Sequence, residues 1–191
     1  IISKDSICEL FNQYKKTLPL EYTNHILEPS YTTRSTTNNL AVNAFPFCTD
    51  NGLYNFPAGV NAGTGEDGPY YDCLGTQPNP AWYYMKIDNP GDINIYMYST
   101  PLVDIDFCCW GPFSDPITPC PYGLTGDKVV SCSYSPDPTE TCVIPSRAQS
   151  GEYYILLITN YSNASCNISF EKESGSGTTD CSIMPPMIES N

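Results

Sequence analysis

Two aspartates at alternate positions of one predicted strand are the residues best suited to chemistry. Asp104 and Asp106 lie in the run 103–110, which alternates apolar and polar side chains as a half-buried strand does. Alternate strand positions bring two carboxylates to about 7 Å from each other on one face. Together with Glu66 and Asp67 of a glycine-rich acidic loop, they form a candidate oxygen site for Ca²⁺.

The same two aspartates have two other interpretations. Short carboxylates at strand ends also accept backbone hydrogen bonds and hold neighbouring loops in place. A carboxylate pair spaced by about 6.5–9.5 Å would suit an inverting glycoside hydrolase, but no sugar-binding cleft is visible in the sequence. Serines are abundant, but the only histidine that could act as a general base, His25, lies in the N-terminal extension. We therefore expect a protein that is not an enzyme.

Aromatic side chains supply a second candidate binding surface. In the run 92–99, Tyr96 and Tyr98 alternate with apolar residues and therefore lie on the face away from the core. Exposed tyrosine rings stack on sugars or on peptide side chains, so Tyr96, Tyr98 and Trp110 are candidate ligand-binding residues. The alternative is ordinary packing between two sheets, which the sequence favours for Trp110.

Ten cysteines, an even number, predict a disulfide-bonded protein of an oxidising compartment. None has the CxxC spacing of a zinc or thioredoxin-type site. A bridge from Cys48 to Cys73 would close the acidic loop and stabilise the chain by about 3 kcal/mol. A bridge from Cys166 to Cys181 would fasten the last strand to the tail, and the remaining pairings stay open.

The charge balance limits the possible partners. The chain has 8 Lys and Arg against 21 Asp and Glu, a net charge of −13, which repels nucleic acid. Calcium, cationic protein surfaces and neutral sugars are compatible with this charge, although acidity also serves solubility alone. No apolar run approaches the ~18 residues of a membrane span, so we expect no transmembrane segment.

About eight short strands separated by glycine and proline turns predict an all-β protein. The runs 80–87 and 92–99 are expected to pair as a hairpin through the turn 88–91. The run 152–159 fits a central strand buried on both faces, and 165–172 returns antiparallel. The pattern favours an antiparallel β-sandwich of jelly-roll type. We divide the chain into an N-terminal extension with a short helix (1–44), the sandwich (45–183) and a tail (184–191).

Several motifs of this chain resemble a known group of modules. They are PNPAWYYMKI, NPGDI, DIDFCCWGPF, CSYS, GEYYILLITNYS and GSGTTDC, in this order over about residues 45 to 183. They are similar to secreted and surface modules of Bacteroidetes found in large adhesion-type proteins, and distantly to the bacterial pre-peptidase C-terminal jelly roll. The resemblance implies a β-sandwich with an accessory or adhesive role outside the cell, and it carries no catalytic residues.

We therefore expect a secreted or cell-surface binding module that recognises an extracellular glycan or glycoprotein, with calcium as its possible cofactor. The alternative is a structural spacer of a larger surface protein that binds no small ligand. A glycoside hydrolase is the third and least favoured interpretation.

Overall fold

The computed structural model describes residues 38–49, 52–117, 119 and 121–185. The predicted N-terminal helix and His25 lie outside these residues, as does most of the tail. The strands are β1 (Phe45–Pro46), β2 (Tyr54–Pro57), β3 (Pro80–Lys86), β4 (Ile93–Thr100), β5 (Asp106–Phe113), β6 (Val129–Ser133), β7 (Thr139–Ile144), β8 (Tyr153–Thr159) and β9 (Asn167–Ser174). Single-turn 3₁₀ helices cover Ala41–Asn43, Pro121–Gly123, Gly126–Lys128 and Cys181–Ile183. No helix among these residues is long and apolar enough to cross a membrane.

The nine strands form two facing sheets, which confirms the predicted β-sandwich. Sheet A has the order β1-β3-β8-β5-β6, and sheet B has the order β2-β9-β4-β7. Every pair is antiparallel except β1 with β3, which run parallel over two residues. An inner core fills the space between the sheets and includes Met85, Ile95, Met97, Phe107, Leu156 and Phe170.

The predicted hairpin between the first two long strands is wrong. β3 lies in sheet A beside β8, whereas β4 lies in sheet B between β9 and β7. The reason is the number of faces that each strand buries. β3 carries Trp82 opposite Met85, and both are fully buried, so this strand needs a sheet covered on both sides. β4 buries only its Ile93, Ile95 and Met97 face, and it fits a sheet with one side towards solvent.

The strand β8 is buried on both faces, as its apolar sequence predicted. Tyr154, Leu156 and Ile158 point into the inner core, whereas Ile155 and Leu157 point to the opposite side of sheet A. The strand that follows it, β9, does not return beside β8 but pairs with β2 and β4 in sheet B. β8 is therefore the centre of sheet A, between β3 and β5.

A second apolar cluster, here called the outer cluster, covers the outer side of sheet A. Trp82 and Trp110 stack there with ring centroids 5.5 Å apart. The Trp110 indole donates a hydrogen bond to the Tyr70 carbonyl (3.1 Å), which fastens the covering loop to β5. The buried members of the outer cluster are Ala41, Leu74, Trp82, Cys108, Trp110, Leu124, Ile155 and Leu157. Sheet A is thus enclosed between two apolar layers, and sheet B has one.

Candidate functional site

Asp104 and Asp106 lie together in a recess of about 190 Å³ at one end of sheet A. Asp106 is the first residue of β5, and Asp104 lies just before it. The segments after β6 and β8 supply the walls, because these strands flank β5 and end at the same edge of the sheet. The recess is lined by Asp104, Asp106, Tyr134, Ser135, Pro136 and Tyr161. The sequence correctly predicted that the two aspartates share a face.

Buried oxygen atoms of the recess and of the neighbouring Thr159 have no hydrogen-bond partner among the described residues. Asp106 is only 1% exposed, and its Oδ2 atom is unpartnered. Thr159 lies directly across from Asp106 in the β5–β8 ladder, is fully buried, and has an unpartnered hydroxyl. Asp104 Oδ1 is unpartnered as well. A buried polar atom without a partner costs free energy, so these three oxygens together mark a place that fits a positively charged or hydrogen-donating group.

The electrostatic environment of the recess is negative. Burial, with the charges of Asp104 and Glu140, raises the pKa of Asp106 to about 7. Burial and the charge of Asp137 also raise the pKa of Asp104. Burial raises the pKa of Glu140, although a hydrogen bond from Ser133 opposes this shift. No lysine or arginine contributes to these shifts. The one salt bridge among the described residues, Lys86 with Asp180 at 2.8 Å, involves none of these carboxylates.

A pH dependence of stability follows from the raised pKa of Asp106. Between about pH 4 and 7 the folded protein holds a proton on Asp106 that the unfolded chain releases, so the free energy of unfolding falls as pH rises. In EDTA, we expect a loss on the order of 2 kcal/mol over this range, measured by urea unfolding. Asp106→Asn should remove most of this slope.

Asp180→Asn is the control for the pH experiment. The hydrogen bond from Lys86 lowers the pKa of Asp180 to about 2, so Asp180 gains its charge below pH 4. The Asp180→Asn variant should therefore keep the wild-type slope between pH 4 and 7. A wild-type stability that stays flat over this range, or an unchanged slope in Asp106→Asn, would contradict the burial of an unpaired carboxyl in the recess.

Two tyrosines that the sequence did not single out form the rim of the recess. Tyr134 and Tyr161 meet edge to face with ring centroids 5.3 Å apart, and each is about 40% exposed. The neighbouring Tyr134 side chain, with smaller contributions from the charges of Asp104 and Asp106, raises the pKa of Tyr161. The sequence signal was present in the motifs CSYS and TNYS, each of which puts a tyrosine just after a strand.

The other predicted ligand-binding aromatics do not join this recess. Tyr96 and Tyr98 are half-buried on the outer side of sheet B, with ring centroids 5.7 Å apart. They remain a separate candidate surface. Trp110 is fully buried in the outer cluster, so its assignment as a ligand-binding residue is wrong. Its large ring stacks on Trp82 and fills space on the outer side of sheet A, so it is a packing residue.

The acidic loop that was predicted to complete a calcium site lies elsewhere. Neither Glu66 nor Asp67 lines the recess. Glu66 Oε1 instead accepts a hydrogen bond from the Ala41 backbone N–H, and the carbonyl of Glu66 accepts one from Tyr71. Burial raises the pKa of Glu66. This loop therefore covers the outer side of sheet A, and the prediction that it shares a site with Asp104 and Asp106 is corrected.

The disulfide pairing also differs from the prediction. Cys48 is bonded to Cys181, and Cys73 is bonded to Cys132. Cys166 is a buried thiol. Both predicted bridges joined cysteines that are near in sequence, but the sandwich brings the chain before β2 next to the chain after β9 instead. Asp72 lies beside the Cys73–Cys132 bridge, and sulfurs held in a disulfide are not thiolate ligands for a metal.

Comparisons with known proteins show a distant likeness to solved structures. No family model matches the chain, and no curated protein matches it. Among solved structures, a crystal structure of the pre-peptidase C-terminal domain of a collagenase from Bacillus anthracis is similar to it. The two share 10% sequence identity with a TM-score of 0.40, over 68% of this chain and 92% of that domain.

Proposed function

We propose that this chain is an extracellular, non-catalytic binding module that holds Ca²⁺ in the acidic recess and binds a glycan at its rim. The observation that carries the proposal is Asp106 Oδ2, a carboxylate oxygen in a residue that is 1% exposed and has no hydrogen-bond partner among the described residues. A buried charge is stable only when it is paired or bound to a cation.

The ligand atoms favour calcium over other metals. Asp104, Asp106 and Thr159 offer only oxygen, which suits a hard cation. Neither histidine nor cysteine lines the recess, so the ligands preferred by zinc are absent from its described walls. A divalent cation would also reduce the repulsion by which Asp137 raises the pKa of Asp104, and Asp104 and Glu140 raise that of Asp106. Calcium binding would therefore stabilise the folded protein at neutral pH.

The rim of the recess supports a glycan as the partner. Ca²⁺ takes six to eight oxygen ligands, so an ion held by two aspartates and a threonine has positions left for sugar hydroxyls. The exposed rings of Tyr134 and Tyr161 offer apolar surface on which the C–H face of a sugar can pack. The two disulfides among the described residues support an extracellular location, since such bonds persist in oxidising compartments.

Thermal unfolding in 1–5 mM CaCl₂ against EDTA tests the metal site. A ligand present at a hundred times its Kd stabilises the folded state by about 2.7 kcal/mol, which raises Tm by about 5–10 °C in a domain of this size. We expect this rise in the wild type and its loss in Asp104→Asn and Asp106→Asn. Asp67→Asn is the matched control and should keep the rise, because Asp67 does not line the recess. If CaCl₂ does not raise the Tm of the wild type, Asp104 and Asp106 do not bind calcium and this part of the proposal is wrong.

A glycan array with calcium tests the second half of the proposal separately. Tyr134→Ala and Tyr161→Ala should lose glycan binding while they keep the calcium-dependent rise in Tm. Tyr96→Ala is the control, since its ring lies on the outer side of sheet B. If calcium stabilises the protein but no glycan binds, the recess is a structural metal site and the function is that of a spacer.

A further inference from the structure

Two buried cysteine side chains from opposite sheets meet inside the sandwich. Cys109 lies in β5 of sheet A, and Cys142 lies in β7 of sheet B. Both are fully buried in the inner core. Both are thiols in this structure, strands β5 and β7 contact each other across the sandwich, and the Cys142 side chain is close enough to Cys109 to raise its pKa.

The backbone around the pair holds the two sulfurs at this place. Cys109 pairs with Ser131 of β6 in sheet A. The Ser131 hydroxyl oxygen accepts a hydrogen bond from the Val143 N–H (3.1 Å), which lies next to Cys142 in sheet B. Two residues further along β6, Ser133 donates a hydrogen bond to Glu140 Oε1 of β7 (2.8 Å). Strand β6 therefore connects β5 to β7 at residues directly next to the two cysteines.

We propose that Cys109 and Cys142 form a disulfide bond that joins sheet A to sheet B through the inner core. Bond formation removes one proton and one electron from each thiol, and the two electrons reduce a disulfide oxidant, such as oxidised glutathione, to two thiols. The same chain already holds the Cys48–Cys181 and Cys73–Cys132 bridges, so it matures where such an oxidant is present. The proposal is independent of the calcium and glycan function.

The order of events follows from burial. Burial holds the pKa of the Cys109 thiol well above its usual range, and only the thiolate reacts with a disulfide. The bond therefore forms during folding, after β6 has brought the strands together and before the inner core closes. Once folded, the bridge is shielded from reductants in solution.

The neighbouring residue Cys108 is the natural control. It points to the opposite side of sheet A, into the outer cluster. Its partner across the ladder is Cys132, which is already bonded to Cys73. Two adjacent cysteines therefore have different environments, and only Cys109 faces a second thiol.

Counting free thiols in single variants tests the bridge. The protein is refolded with oxidised and reduced glutathione, denatured in guanidinium with N-ethylmaleimide, and weighed intact. We expect Cys109→Ala and Cys142→Ala each to carry one more maleimide group than the wild type, because each variant frees the other sulfur. Cys108→Ala should carry one fewer. If the Cys109 and Cys142 variants each carry one fewer as well, the bridge does not exist.

A peptide map of the wild type avoids reliance on variants that fold poorly. Cleavage after Glu140 and Arg147 releases the peptide 141–147, in which Cys142 is the only cysteine. We expect this peptide to be linked to the one that contains residues 108 and 109, and the link should persist in Cys108→Ala. Recovery of 141–147 as a free alkylated peptide would overturn the proposal, as would loss of the link in Cys108→Ala.

Discussion

Replacing Leu157 by alanine lowers the free energy of unfolding by about 3–5 kcal/mol, the range of buried leucine-to-alanine substitutions. Leu157 is fully buried in the outer cluster, on the side of β8 that faces away from sheet B. The substitution removes apolar contacts and leaves a cavity beside Trp82, which lies directly across from Leu157 and whose ring is held by stacking on Trp110. Urea unfolding followed by tryptophan fluorescence measures the loss, since both tryptophans remain.

Leu102→Ala is the matched control for this experiment. It removes the same atoms from a side chain that is 73% exposed, so we expect a change below about 0.5 kcal/mol. A loss below about 1 kcal/mol in Leu157→Ala would mean that the outer side of sheet A is open to solvent. The comparison therefore decides whether the loops before and after β5 form a genuine second core.

Removing the Cys48–Cys181 bridge, by replacing both cysteines with alanine, costs about 2–5 kcal/mol. The two cysteines are separated by 133 residues, and a bridge over a long loop removes much conformational entropy from the unfolded chain. Removing the Cys73–Cys132 bridge, with a separation of 59 residues, should cost somewhat less. Chemical unfolding of the two double variants under oxidising conditions measures both values.

A reducing agent provides the control for the disulfide variants. With dithiothreitol present during unfolding, the wild type and the Cys48→Ala/Cys181→Ala variant should approach the same stability, because neither then contains this bridge. A difference that persists after complete reduction would show that the alanines disturb packing, and the stabilisation would then not belong to the covalent bond.

Local patterns in the sequence predicted which face of each long strand is buried. The alternation in 83–87 and 93–97 and the continuous apolar run of β8 correspond to what the structure buries. Pairing could not be predicted in the same way, because a strand's neighbours depend on residues far along the chain. The turn between β3 and β4 suggested a hairpin. The strands join different sheets because the outer cluster that buries Trp82 of β3 covers sheet A only.

The candidate site was predictable only in part, for the same reason. Asp104 and Asp106 are two residues apart, so their common face follows from strand geometry alone. Thr159, Tyr134 and Tyr161 reach them only because β8 and β6 flank β5 in sheet A. The disulfides likewise join segments that only the finished sandwich brings together, which is why pairing neighbouring cysteines failed.

The Cys48–Cys181 bridge also determines how the module responds to a mechanical load. Strands β2 to β9 all lie between these two cysteines in the chain. A pulling force applied to the chain before Cys48 and after Cys181 therefore passes from one sulfur to the other. It can detach β1 and the 3₁₀ turns outside the bridge, but it places no tension on the hydrogen bonds of β2–β9. While the bridge is intact, the force bypasses the sandwich. Reduction of this one bond would put the strands under load and let the enclosed chain extend, except for the segment that the Cys73–Cys132 bridge still closes.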